Sequence, residues 1–100
     1  MTTLHIINKP LDGNIAENVQ ATAAKGDDLL LTENGVVAVL HNPDSESVLQ
    51  SFSKRYNIYA LEADAQARGL LTRLPGWVTS VDFDGFVTLT IRHTRTLSWF

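Results

Sequence analysis

DFDGFVTLTIRH, residues 82 to 93, can be read in two ways, and the fold of the whole chain turns on the choice. Val87, Leu89 and Ile91 alternate with Thr88 and Thr90, as side chains do along a strand. Phe83, Phe86, Val87 and Thr90 with Ile91 recur instead at helical spacing. The flanks decide between them. Val78 to Val81 is an apolar stretch of strand length, and Leu97 to Phe100 is another. Two parallel strands of one sheet need a crossover between them, and the usual crossover is a helix. Residues 82–93 are therefore predicted as a helix, and the chain as alternating β and α units.

The same logic extends toward the N-terminus. Leu4 to Ile7 is a buried-strand run closed by Asn8-Lys9-Pro10. Leu11, Ile15, Val19 and Ala23 fall on one helical face, with Gly26 as the expected C′ stop. Leu29 to Leu31 makes the second strand. Asn34-Gly35 is a turn signal that opens either a hairpin into Val36 to Leu40 or a helical turn packed on the sheet edge. Asn42-Pro43 reads as an N-cap with Pro at N1, followed by the stripe Val48, Leu49, Phe52 and Tyr56. Asn57 to Leu61 is the third strand. A short helix follows, with Glu62 and Gln66, and Asp64 and Arg68, at i,i+4 spacing, and Gly69 ends it. The expected architecture is α/β: a single domain over residues 1–100, with about five mostly parallel strands flanked by helices.

Composition narrows the function. Eight basic against eleven acidic residues give a net charge of -3, and the longest basic run is the pair Lys54-Arg55, so direct nucleic-acid binding is not expected. The start MTTLHIINKP lacks a signal peptide's basic and apolar regions, and no apolar run approaches the roughly 20 residues of a membrane span, so a cytoplasmic protein is expected. An apolar fraction of 44% spread over only 100 residues leaves a small core. Such a domain gains from a partner that covers an apolar face, and an oligomer is expected. The chain has no cysteine, which excludes disulfides, thiolate metal sites and any covalent sulfur intermediate on these residues.

Little else carries chemistry. His5, His41 and His93 are far apart and have no partner at metal-ligand spacing. His5 reads as a buried, hydrogen-bonded strand residue and His93 as a dipole-compensating residue at a helix C-terminus. Glu62, Asp64, Asp82 and Asp84 lie near the ends of predicted strands, where a paired-carboxylate hydrolase would draw its groups. Solvated helix starts are the better account of them, since acidic residues favour helix N-termini. The glycines match neither dinucleotide nor phosphate loops, so neither metal nor cofactor is expected. Phe86, Trp99 and Phe100 are candidate subunit contacts, because a small core cannot easily bury the aromatic residues at the chain's end.

The segments LHIINKP, GDDLLLTENGVVAVL, IYALEADAQARGL and VDFDGFVTLTIRHTRTLSW, in that order, resemble the TusB/DsrH family of DsrE-like sulfur-relay subunits. The resemblance implies a DsrE-like domain assembled with homologous TusC- and TusD-like (DsrF- and DsrE-like) subunits as a dimer of heterotrimers. Such complexes pass persulfide sulfur to a TusE/DsrC-like acceptor. In the Tus setting the sulfur ends in the 2-thio group of the tRNA wobble uridine; in the Dsr setting it belongs to intracellular sulfur oxidation. In the sulfur-carrying sister a reactive cysteine closes the third strand, a short interval before an Arg-Gly pair. Counting the same interval back from Arg68-Gly69 reaches Leu61. The resemblance thus implies a non-catalytic accessory subunit. A homo-oligomeric DsrE-like regulator or binding module is the alternative reading.

Overall fold

The structure, a computed structural model, describes residues 1–40 and 48–99. Five strands, β1 (Thr3–Ile7), β2 (Asp28–Leu31), β3 (Asn57–Leu61), β4 (Val78–Val81) and β5 (Arg95–Trp99), alternate with helices α1 (Gly13–Thr22), α2 (Val48–Ser53), α3 (Glu62–Ala67) and α4 (Phe83–Arg92). Short 3-10 segments occupy Glu33–Val39 and Leu71–Arg73. The strands form one sheet in the order β4-β3-β2-β1-β5, with every pairing parallel. The α/β expectation therefore holds.

Residues 82–93 fold as a helix for identifiable reasons. The Asp82 carboxylate accepts a hydrogen bond from the Gly85 N–H at 2.8 Å and so caps the helix start. The Thr88 and Thr90 hydroxyls, which favour a strand by propensity, donate instead to the carbonyls of Asp84 (3.0 Å) and Val87 (2.7 Å). Leu89 is buried between Leu4 of β1 and Leu30 of β2. Burial of Leu89, not propensity, decides the conformation.

The two faces of the sheet are covered unequally. One carries the main core, in which Ile7, Leu29, Leu31, Ile58, Ala60 and Val78 of the strands meet Val19 of α1, Val36 and Val39 of the first 3-10 segment, Leu49 and Phe52 of α2 and Ala65 of α3. The other face has α4 as its helical cover, over the small cluster of Leu4, Leu30 and Leu89, with Ile6, Tyr59, Val81 and Phe86 only partly buried beside it. Parallel sheets are normally covered on both faces. This asymmetry bears on what the molecule is for.

Several sequence expectations need correction. Gly26 does not stop α1, which ends at Thr22 with Ala23 extended as its cap. Gly26 lies in the following turn, closed by the Asp27 N–H to the Ala24 carbonyl at 3.0 Å, where its φ of 94° suits the third position. Of the two readings left open at Asn34-Gly35, the helical turn is the one found, as a 3-10 segment over Glu33–Val39. In the α2 stripe Leu49, Phe52 and Tyr56 are buried, but Val48 is exposed. The last strand begins at Arg95, two residues earlier than expected. Asn42-Pro43, His41 and Phe100 lie outside the described residues.

Candidate functional site

At the C-terminal end of β3, the half-buried Leu61 leads directly into α3 without a side-chain cap. Together with Glu62, Ala63, Gln66, Asp82 and Phe83 it lines a cleft of about 240 Å³. The cleft lies across the adjacent ends of β3 and β4, whose register sets Leu61 opposite Val81. Open parallel sheets place their chemistry at such strand ends. Here the lining contains no thiol, hydroxyl, imidazole or amine. Of its two carboxylates, Asp82 is engaged in capping α4.

Asp64, expected at the same edge, turns away. Its carboxylate accepts a hydrogen bond from the Glu33 N–H at 2.7 Å. Arg68 does not form the expected carboxylate pair with it: Nε and Nη2 donate to Asn34 Oδ1 at 3.1 and 3.0 Å, and Nη1 donates to the Asp64 carbonyl at 3.2 Å. The two residues thus stitch α3 to the start of the 3-10 segment, where Glu33 is held at a φ of 49°. Gly69 ends α3 as expected, with a φ of 69°, its N–H donating to the Gln66 carbonyl and the Leu70 N–H to the Ala65 carbonyl. Gly35 passes so close to β1 that a Cβ there would overlap the Ile7 carbonyl oxygen. Asn34-Gly35 and Arg68-Gly69 therefore shape the strand ends without offering a reactive group. Asp84 is exposed on the first turn of α4, the solvated helix-start placement.

The described histidines lie elsewhere. His5 is fully buried, its Nε2 2.9 Å from Asp27 Oδ2, while the Trp99 indole N–H donates to its Nδ1 at 3.0 Å. Indole nitrogen can only donate, so Nδ1 is the acceptor and the ring proton sits on Nε2, donated to Asp27. The imidazole and indole rings also stack, with centroids 6.0 Å apart. His93 is buried too, and instead of facing the carbonyls of α4 it bonds Asp28 Oδ2 at 2.7 Å and Thr2 Oγ1 at 2.8 Å. Asp28 also accepts from Asn57 Nδ2 at 3.2 Å. Asp27 and Asp28 are adjacent in the chain, so one dipeptide at the entry to β2 ties together β1, β3 and the junction between α4 and β5. Sequence reading missed this. The only available signal was two acids in front of an apolar strand, a place where carboxylates are seldom buried without partners.

The surroundings of Asp27 shift its titration. Burial pushes its pKa up, but hydrogen bonds from the Ala24 N–H, His5 and the Thr3 N–H, with the His5 ring nearby, outweigh burial and hold it below 3.8. A carboxyl with a depressed folded pKa stabilises the fold fully above its unfolded value. That contribution is lost as pH falls through the folded pKa. In urea titrations across the acid range, the stability difference between wild type and Asp27→Asn should therefore be constant near neutrality and shrink below about pH 3.8. A difference unchanged down to the acid unfolding limit would contradict the network.

Among the described residues no cluster of three or more His, Asp or Glu could hold a metal ion, and no helix is long and apolar enough to cross a membrane. Residues 10–96 match the family model described as DsrH like protein. Relatives named Protein TusB include one from Cronobacter sakazakii, 39% identical over 74% of this chain and 76% of the relative, and one from Erwinia tasmaniensis, 36% identical over 76% and 78%. In fold the chain is similar to the crystal structure of the ychN protein from E. coli, with a TM-score of 0.68 at 12% identity over 98% of this chain and 97% of the other. The family match over most of its length, together with relatives this similar across three quarters of it, means that the chain belongs to the TusB/DsrH family of sulfur-relay subunits.

Proposed function

We propose that this chain carries no sulfur itself and acts in the cytoplasm as a structural subunit. On this reading it seats against TusC- and TusD-like homologues and holds the cysteine-bearing one in position to hand persulfide sulfur to a TusE/DsrC-like acceptor. The observation that carries the reading is Leu61. The β3–α3 junction keeps its shape, stitched by Asp64 and Arg68. At the position that corresponds to the sister's cysteine, however, stands a hydrocarbon side chain with no lone pair to attack sulfur and no proton to lose. With no cysteine anywhere in the sequence, no other residue can take over as persulfide carrier. The unequal cover of the sheet supports a role through contact, since the partly buried Ile6, Tyr59, Val81 and Phe86 gain burial when another chain covers that face. Phe86, Trp99 and Phe100 remain the proposed contact residues. Relatives bearing the TusB name favour the tRNA branch over sulfur oxidation.

Co-expression with TusC- and TusD-like subunits, followed by size-exclusion chromatography, tests the reading. This chain is expected to co-elute with both. A chain that elutes separately while the other two assemble without it would sink the idea.

A further inference from the structure

The outward side of α4 carries Phe83, Val87 and Ile91, which are 72%, 37% and 78% exposed. They stand four residues apart, so they form a single ridge along the helix. The Phe83 ring is stacked on Phe86, with centroids 6.2 Å apart and planes within 2°. Three large apolar side chains in one line, on the one helix that covers this sheet face among the described residues, are not scattered surface residues.

The ridge is symmetric about its middle. Phe83 and Ile91 lie equally far from Val87 along the helix. Asp84 and Arg92, each one residue further on, form the neighbouring ridge together with Thr88, and all three are exposed. Arg92 has its side chain about half in solvent, with only a 3.7 Å approach to Asp28. We propose that the ridge is covered by α4 of a second copy of this chain, lying antiparallel across a two-fold axis near Val87. In that arrangement Phe83 of each copy packs on Ile91 of the other, and Asp84 of each faces Arg92 of the other, twice. A parallel arrangement sets Asp84 against Asp84 and Arg92 against Arg92. The helix dipoles also oppose one another only in the antiparallel case. Self-complementarity of this kind is what a two-fold contact between identical chains requires. The contact needs nothing from other subunits and goes beyond the structural-subunit reading.

Since the chain has no cysteine, Val87→Cys introduces a unique thiol next to the proposed axis. Under mild oxidation of the full-length protein, V87C is expected to form a disulfide-linked dimer of this chain, whereas Asn18→Cys, on the exposed side of α1, is not. Adding Asp84→Arg to V87C sets like charges against each other and should lower the rate of linking about fivefold. Linking of V87C no faster than that of N18C, or a rate indifferent to Asp84→Arg, overturns the proposal. If V87C links to itself while the chain elutes apart from its TusC- and TusD-like sisters, this contact stands and the structural-subunit reading falls. Assembly with the sisters without self-linking has the opposite meaning.

Discussion

Gly35→Ala is expected to destabilise the fold by about 3 kcal/mol, the upper end of what overpacking a rigid site costs. For a chain of this size that corresponds to a fall in Tm on the order of 15 °C. The cause is local. A methyl group at residue 35 would occupy the position of the Ile7 carbonyl oxygen and press on the Ile7 carbonyl carbon. That oxygen also accepts the Thr32 N–H at 3.0 Å, so β1 cannot yield without losing the bond that holds the start of the 3-10 segment. Two other glycines calibrate the result. A Cβ at Gly76 meets open space at an ordinary φ, so Gly76→Ala should be nearly neutral. Gly69 also has room but sits at a φ of 69°, so Gly69→Ala should cost about 1 kcal/mol through backbone strain alone. Thermal unfolding of the three variants should rank Gly35 well above Gly69, and Gly69 above Gly76. A Gly35 variant as mild as the Gly76 variant would mean that β1 and the 3-10 segment are not packed as described.

Asp27→Ala should be at least as severe, with a loss of about 3 kcal/mol or more, since each buried donor left without its acceptor costs about 1–3 kcal/mol. The carboxylate accepts the Thr3 N–H, the Ala24 N–H and His5 Nε2, each at 2.9 Å, in a residue only 4% exposed. Its removal leaves the buried Thr3 and His5 donors, and the part-buried Ala24 N–H, without their acceptor. The effect should also reach Trp99, because His5 without its carboxylate has nothing to fix the tautomer that receives the indole N–H. In a Trp77→Phe background the Trp99 fluorescence maximum and yield should change along with the stability. A loss below about 1 kcal/mol and an unchanged Trp99 signal would show that the network contributes little.

The elements were legible in this sequence wherever burial and local chemistry pointed the same way. Leu29 to Leu31 reads as a strand because it is an apolar run buried throughout, and Asn57 to Leu61 because Ile58 and Ala60 are buried with Tyr59 and Leu61 partly so. Residues 82–93 were legible only through their neighbours. Their Thr and Val content favours a strand, and it was the need for a crossover between β4 and β5 that gave the right answer. Helix ends fared worse. Gly26 carries the signature of a helix stop, yet its positive φ serves a turn three residues beyond the cap, and sequence alone cannot tell those two uses of glycine apart. The side-chain partners of Asp64, Arg68 and His93 were misjudged because i,i+4 spacing and helix position consider one element at a time. The partners, Glu33, Asn34 and Asp28, come from other parts of the fold. At the strand-end cleft the most informative feature, the absence of any thiol, was visible from residue types alone. The exposure of Phe83 and Ile91 was not, because helical spacing shows that a stripe exists and not whether it faces the sheet.

Intact-protein mass spectrometry tests the structural role most directly. The proposed complex of this chain with TusC- and TusD-like homologues would be charged with a persulfide donor and each subunit weighed. The cysteine-bearing sister is expected to gain the mass of sulfur and to lose it again when a TusE/DsrC-like acceptor is added, while this chain keeps its unmodified mass throughout. Sulfur appearing on this chain, and leaving it for the acceptor, would contradict the account.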